Sequence, residues 1–336
     1  MTLNLHRAVM IVTFSLAASF FPSSAGQPGS IYHVEKMNTT QIRALDRNRT
    51  AVLLPGGILE EHGPYLPAYT DGILSERMTE VLSKAIVEQA GWNVLVFPTI
   101  PLGTAGSNEY GNKYTFPGTY VVRADTLRAV FMDLATELGE QGFRWIFVIH
   151  VHGAGPHNRA IDQAGDYFHD TCNGQMVHLW GQVPVIQGWG RALQPLSPAE
   201  QREEGAGLHA GMDETSLMLY LEPKLVSPDY KRALPVTGAD VPKSVELAKA
   251  KDWEGYFGSP RLASAALGEK IWKSFSAACV DHALKILKGA DNSRTPRYGD
   301  LQASNVALAA VDKASTVHEK EIEAKQRAWL RKKGLE

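Results

Sequence analysis

WIFVIHVHGAGPHN, residues 145–158, runs through an apolar stretch broken only by His150 and then enters a glycine-rich turn. The run 145–151 shows no alternation of polar and apolar residues. That is the pattern of a strand covered on both faces, the usual situation in parallel sheets flanked by helices. Working outward, residues 51–54, 93–97 and 176–180 read as three more strands of the same kind. Between them the apolar spacing changes to that of helices. Leu74, Met78, Leu82 and Ile86 share one face after Asp71, and Gly91 ends the pattern. Asp125 is placed to cap a second helix carrying Leu127, Phe131, Leu134 and Leu138, which Gly142 ends. Further helices are expected over about 159–169, over 213–221 before Pro223, and over 267–288 with Ile271, Phe275, Cys279, Ala283 and Ile286 on one stripe. Strands alternating with helices give an α/β fold, a largely parallel sheet with helices on both faces. Ligands of such sheets bind beyond the carboxyl ends of the strands.

The remaining segments are less regular. Residues 26–50 are polar and wrap the domain, with a short helix around 40–46; 99–119 is long enough to be an active-site wall. Residues 195–207 read as a surface loop, 242–258 as irregular, and the tail from 316 as a charge-rich helix that is solvated or at a subunit contact. The organisation expected is a leader at 1–25, one main α/β domain at 26–295 and a helical tail at 296–336.

The chain of 336 residues carries a net charge of −2, a balance that favours neither nucleic acid nor an anionic membrane surface as partner. His6 and Arg7, an apolar run at 8–21 and the small-residue exit Pro22-Ser23-Ser24-Ala25-Gly26 form a secretory signal pattern. The run falls short of the roughly twenty apolar residues of a membrane span, which makes an uncleaved anchor the weaker alternative. The mature chain is expected to start near Gly26 and to be periplasmic or secreted. Cys172 and Cys279, the two cysteines, are either bonded there or two free thiols. No dinucleotide fingerprint, P-loop or G-x-S-x-G nucleophile elbow is present.

Chemistry-bearing residues gather at strand ends. Residues 51–71, AVLLPGGILEEHGPYLPAYTD, place Glu60, Glu61, His62 and Asp71 just past a strand. An extended backbone sends Glu60 and His62 to the same side, and the Gly/Pro-rich loop can return Asp71 to them. The plain alternative is solvated carboxylates and a helix cap at Asp71. His150 and His152, two apart, share a side if their strand continues, and Gly153 and Gly155 permit close approach of a ligand. In 207–216, GLHAGMDETS, His209 and Glu214 converge only if His209 lies in the loop and the helix begins near Asp213, itself a cap or a ligand.

Together these motifs resemble the creatininase (creatinine amidohydrolase) family. PGGILEEHGPYLPAYTD, Phe116-Pro117-Gly118-Thr119, WIFVIHVHGAGPHN, HAGMDETS and GYFGSPRLASAALGEK are similar to that family's segments and keep their order. The resemblance implies a three-layer α/β/α hydrolase with two divalent metal ions, zinc or manganese, and a homo-oligomer, commonly a hexamer. It implies Glu60, His62, Asp71, His152 and Glu214 as metal ligands, Asp71 bridging, and His209 as a proton shuttle. The implied activity is hydrolysis of a C–N bond in a small cyclic or linear amide. The alternatives are a peptidase, a cyclic-ketone C–C hydrolase or a non-catalytic periplasmic binding protein. Departures from the pattern include Met212, His150-Val151, Ala154, Gly155, Tyr65 and Ile58. They imply a substrate other than creatinine and leave His150 or His157 as substitute ligands.

Overall fold

The computed structural model describes residues 29–192 and 196–336; the expected leader lies outside the described residues. In chain order the elements are β1 (Ile31–His33), α1 (Thr39–Arg43), β2 (Thr50–Gly56), α2 (Thr70–Ala85), β3 (Asn93–Val96), α3 (Ala124–Glu140), β4 (Trp145–His150) and α4 (Gly155–Cys172). There follow β5 (Gln175–His178), α5 (Val183–Arg191), α6 (Pro198–Glu204), α7 (Met212–Leu221), α8 (Val241–Ala248), α9 (Ala265–Leu287), α10 (Tyr298–Ser304) and α11 (Val306–Lys333).

The five strands form one parallel sheet in the order β1-β3-β2-β4-β5. Residue parity divides the core. Ala51, Leu53, Phe147 and Ile149 point into a layer made with α2, α5, α7 and α9. Val52, Leu54, Ile146 and Val148 point into the opposite layer, made with α3 and α4. Each central strand therefore has an apolar side chain at nearly every position, and the expected three-layer α/β/α architecture is the one observed. Gly91 and Gly142 end their helical segments in the left-handed region, at φ 66° and 90°.

Several expectations need correction. β1 was not anticipated: Ile31–His33 is a half-exposed edge strand, and without an apolar run it has no sequence signature. Asp125 lies inside the first turn of α3, where Arg123 holds the N-cap position without a side-chain bond. α4 begins at Gly155 with Pro156 in its first turn, earlier than expected. The supposed loop 195–207 contains α6, opened by a Ser197/Glu200 capping box, and 242–258 contains α8, capped by Asp240. Cys172 and Cys279 are free thiols, packed with the α4 layer and the α9 layer respectively, on opposite faces of the sheet.

The tail is not simply solvated. Along its first half, α11 docks on its own chain: Asp312 pairs with Arg159 at 2.8 Å, and Glu319 accepts from Thr104 Oγ1 at 3.0 Å and from the Ala124 N–H at 2.9 Å. Among the described residues no helix is long and apolar enough to cross a membrane.

Candidate metal centre

The site forms where β2 and β4 end. β2 closes at Gly56, where a Cβ would stand 2.2 Å from the His150 ring and 2.3 Å from the Ile100 carbonyl. The chain then loops out and is pinned by Glu60 N–H donating to the Ala68 carbonyl at 2.9 Å, which carries it back to α2. Asp71 is the second residue of that helix. Tyr69 is its N-cap, so Asp71 is not spent on capping. Ser75 ties this turn to the end of β4, donating to the Asp71 carbonyl at 2.9 Å and accepting from the Val151 N–H at 2.8 Å.

Asp71 consequently faces two histidines with different oxygens. His152 Nδ1 lies 2.9 Å from Asp71 Oδ2 and 3.1 Å from Glu60 Oε2, while His62 Nε2 lies 3.3 Å from Asp71 Oδ1. The far side of each ring is fixed by a carbonyl. His62 Nδ1 donates to the Glu60 carbonyl at 3.0 Å, and His152 Nε2 donates to the Ala105 carbonyl at 3.1 Å. A carbonyl can only accept, so these contacts set the tautomers and aim the remaining nitrogens at Asp71. Ala105 holds φ of 63°, left-handed backbone that costs energy for a residue with a Cβ and that here aims the carbonyl at His152.

The third contribution comes from the loop before α7. His209 Nε2 donates to the Glu61 carbonyl at 2.5 Å, with its ring 4.3 Å from that of His62. Its Nδ1 is 4.0 Å from Glu214 Oε2, and Nε2 is 3.9 Å from Glu60 Oε1. His209 thus sits in the loop and Glu214 in the first helical turn, the arrangement their convergence required. Asp213 is neither cap nor ligand. It accepts from Trp189 Nε1 at 2.8 Å, and Gly211 is the N-cap.

All six residues expected to act are therefore gathered in one place. Ligand atoms of three sets approach within 4.8 Å of one another: Glu60, Asp71 and His152; His62, Asp71 and Glu214; and Glu60, His62 and His209. Asp71 belongs to the first two, through opposite oxygens. Buried Glu60 Oε2 and His62 Nε2 have only the ion-pair contacts with His152 and Asp71 and no well-aligned hydrogen bond, an arrangement that a cation would complete. Carboxylate oxygens with imidazole nitrogens form a donor set suited to zinc or manganese.

Electrostatics agree. Burial opposes the charge on Glu60, but His209, His152 and His62 together hold its carboxyl far below the usual range. Asp71, also working against burial, is lowered by His152 and His62. Burial pulls His62 down, yet Asp71, Glu214 and Glu60 push it up to about 10; His152 is raised in the same way by Glu60 and Asp71. Burial pushes Glu214 up to about 7. Without a cation, the acids favour the protonated imidazoles of His62 and His152.

His150 and His157 are not substitute ligands. β4 stops at His150, so the pair does not stay on one side: His150 follows Ile146 and Val148 into the α3–α4 layer against Phe131, its ring 5.6 Å from His157, and His152 leaves for the site. Neither belongs to any of the three sets.

Other contributors were given no individual role by the sequence, although Glu61 and Thr119 fall in the quoted motifs. Ser107 donates its N–H to Glu60 at 2.5 Å and its hydroxyl to Glu61 at 2.7 Å, and Thr119 also donates to Glu61, which locks the 99–119 segment to the site. Buried Glu204 accepts from the Met212 N–H at 3.2 Å and from the Ser259 N–H at 2.6 Å, bracing the His209 loop. The centre opens into a cavity of about 320 Å³ that includes Glu60, Asp71, His152, His209 and Glu214 with Trp180, Trp189 and Tyr298.

The profile of the creatininase family, described as creatinine amidohydrolase, matches residues 35–283. The mycofactocin precursor peptide peptidase of Mycolicibacterium smegmatis is 27% identical over 257 residues, covering 73% of this chain and 89% of that one. The creatinine amidohydrolase of Pseudomonas putida is 28% identical over 182 residues, covering 53% of this chain and 66% of that one. The solved structure of a creatinine amidohydrolase (creatininase) shares the fold at TM-score 0.55 and 22% identity, over 77% of this chain and 98% of that chain. Solved creatininases of like similarity include a Mn form and a Zn-Zn form. By its sequence and by its fold, this chain belongs to the creatininase family.

Proposed function

We propose that the protein is an exported metal-dependent amidohydrolase that cleaves a C–N bond of a small cyclic or linear amide. The observation that carries this reading is Asp71, shared between two ligand sets through its two oxygens. Glu60 and His152 would hold one divalent ion and His62 and Glu214 the other, with Asp71 between them, zinc or manganese in each case. Such ions, when bound, make water a nucleophile near neutral pH and polarise a carbonyl.

The chain's own residues do the rest. Glu60, buried and held ionised by its histidine neighbours, supplies fixed negative charge. The carbonyls of Glu60 and Ala105 keep His62 and His152 in one tautomer. His209 keeps its Nε2 proton on the Glu61 carbonyl, which leaves Nδ1 to take a proton and deliver it to the departing nitrogen. Trp180 and Trp189 exclude water from one wall of the cavity.

A second reading is hydrolysis of a peptide bond, as the name of the mycobacterial relative suggests. The cavity, at about 320 Å³, has room for more than a bare ring. Assembly into a homo-oligomer, a hexamer as in the family, and the leader-directed route to the periplasm or beyond belong to the same proposal. The experiment is chelation followed by reconstitution, read on lactams, hydantoin-like rings and short peptides. Activity lost on metal removal and restored by zinc or manganese supports the reading, and turnover that survives complete metal removal overturns it.

A further inference from the structure

The family match ends at residue 283, but the cavity does not end with it. After α9 the chain returns across the rim. The Tyr298 N–H donates to the Gly181 carbonyl at 2.8 Å, and the Pro296 carbonyl accepts from the Val183 N–H at 3.0 Å, fastening 296–298 beside Trp180. α10 then crosses the turn that carries His152: buried Gln302 donates from Nε2 to the Gly153 carbonyl, and the Gly299 carbonyl accepts from Arg159 at 3.0 Å. α11 continues over the opposite rim. There Glu319 bonds Thr104 and Ala124, Glu323 pairs with Arg123 at 3.5 Å, and His318 stacks on Tyr114 at 4.0 Å. The segment is thus tied down on both sides of the site. Tyr298, Gln302 and Leu308 from it line the same cavity as Glu60, Asp71 and His152.

We propose that α10 and the first turns of α11 form the outer wall of the substrate cavity, with Leu308 and Tyr298 setting the size of group accepted beside the metal centre. The substrate class that fits is an amide whose reacting carbonyl carries one compact apolar or aromatic group; a chain extending beyond that group meets Leu308. The wall's attachments are ion pairs and hydrogen bonds spread along two helices, so a change at the half-buried Leu308 leaves them in place. This inference deepens the hydrolase reading and rests on it.

The test uses Leu308→Trp and Leu308→Ala in the full chain loaded with zinc, with acetohydroxamate and benzohydroxamate as probes that grip a divalent ion through the same atoms but differ in bulk. Affinities are measured by calorimetry and zinc content by elemental analysis. Leu308→Trp is expected to lower the benzohydroxamate-to-acetohydroxamate affinity ratio by about tenfold or more, the scale on which a filled apolar pocket discriminates. Leu308→Ala is expected to raise the affinity for the larger 2-naphthohydroxamate relative to benzohydroxamate. Zinc content equal to that of the parent in both variants keeps the effect on the wall. Ratios unchanged in both variants overturn the wall proposal while leaving the hydrolase reading intact. A zinc-free parent, or one that binds neither probe, overturns the hydrolase reading and this inference with it.

Discussion

Two groups of buried histidines lie side by side at the end of β4 and behave in opposite ways. His62 and His152 face carboxylates and are pushed up, whereas His150, His157 and His178 sit in the α3–α4 layer, where burial first and then the charge of neighbouring histidines, His152 in every case, push them down. The rings of His152 and His157 are only 5.0 Å apart. Residue type therefore does not make the candidate metal centre. The acids contributed by the 60–71 loop and α7 do, because only beside them does a histidine gain by holding a cation. The other group is a cluster of buried imidazoles without an acid: His178 Nε2 meets the His150 carbonyl and His157 Nδ1 the Thr104 N–H, while their remaining nitrogens and both of His150 make no hydrogen bond.

The sharpest way to break this contrast is at Asp71. Asp71→Asn removes charge from both ligand sets at once, so metal content is expected to fall and activity to drop by roughly a thousandfold or more; elemental analysis and steady-state rates check both. His209→Asn should lower kcat by roughly a hundred- to ten-thousandfold while metal content stays as in the parent. Metal lost in that variant would make His209 a ligand.

Glu204 sharpens the comparison from outside both groups. Burial pushes its carboxyl up to about 7, and it accepts from two backbone N–H groups next to the His209 loop. Glu204→Ala strands those donors and is expected to cost about 1–3 kcal/mol in denaturant unfolding. Activity should fall further than in Glu204→Gln, which keeps an acceptor.

The two groups also predict opposite pH arms for the metal-free protein. His178 is lowered from 6.5 to about 4, so its stabilising contribution is complete above 6.5 and is lost as the pH falls toward 4, on the order of 3 kcal/mol. His62 is raised from 6.5 to about 10, so its contribution is complete below 6.5 and is lost as the pH rises toward 10. Unfolding curves across pH check both arms; metal loading should abolish the alkaline arm and leave the acid arm. The smallest effect is expected from His178→Gln: a flattened acid arm, unchanged metal content and activity within about threefold of the parent.

Much of this was legible in the sequence, for particular reasons. The central strands announce themselves because both faces are buried, and the Gly/Pro punctuation of 56–67 marks a loop that can bring Asp71 back to Glu60 and His62. His209 and Glu214 could be joined in advance because loop-then-helix is the one geometry that lets them meet. What escaped the sequence is non-local. Whether His152 shares a side with His150 depends on β4 ending one residue before Val151, whose N–H goes to Ser75. Glu204 looks like any helical glutamate until the backbones of Gly207, Gly211 and Gly258 close around its carboxylate. The tail reads as a charged, solvent-facing helix because its docking is made of ion pairs rather than an apolar stripe.

The most direct measurement is anomalous diffraction from crystals of the protein loaded with Mn(II). Two peaks flanking Asp71 are expected, one contacted by Glu60 and His152 and the other by His62 and Glu214. A peak among His150, His157 and His178, or no peak touching Asp71, would contradict the account.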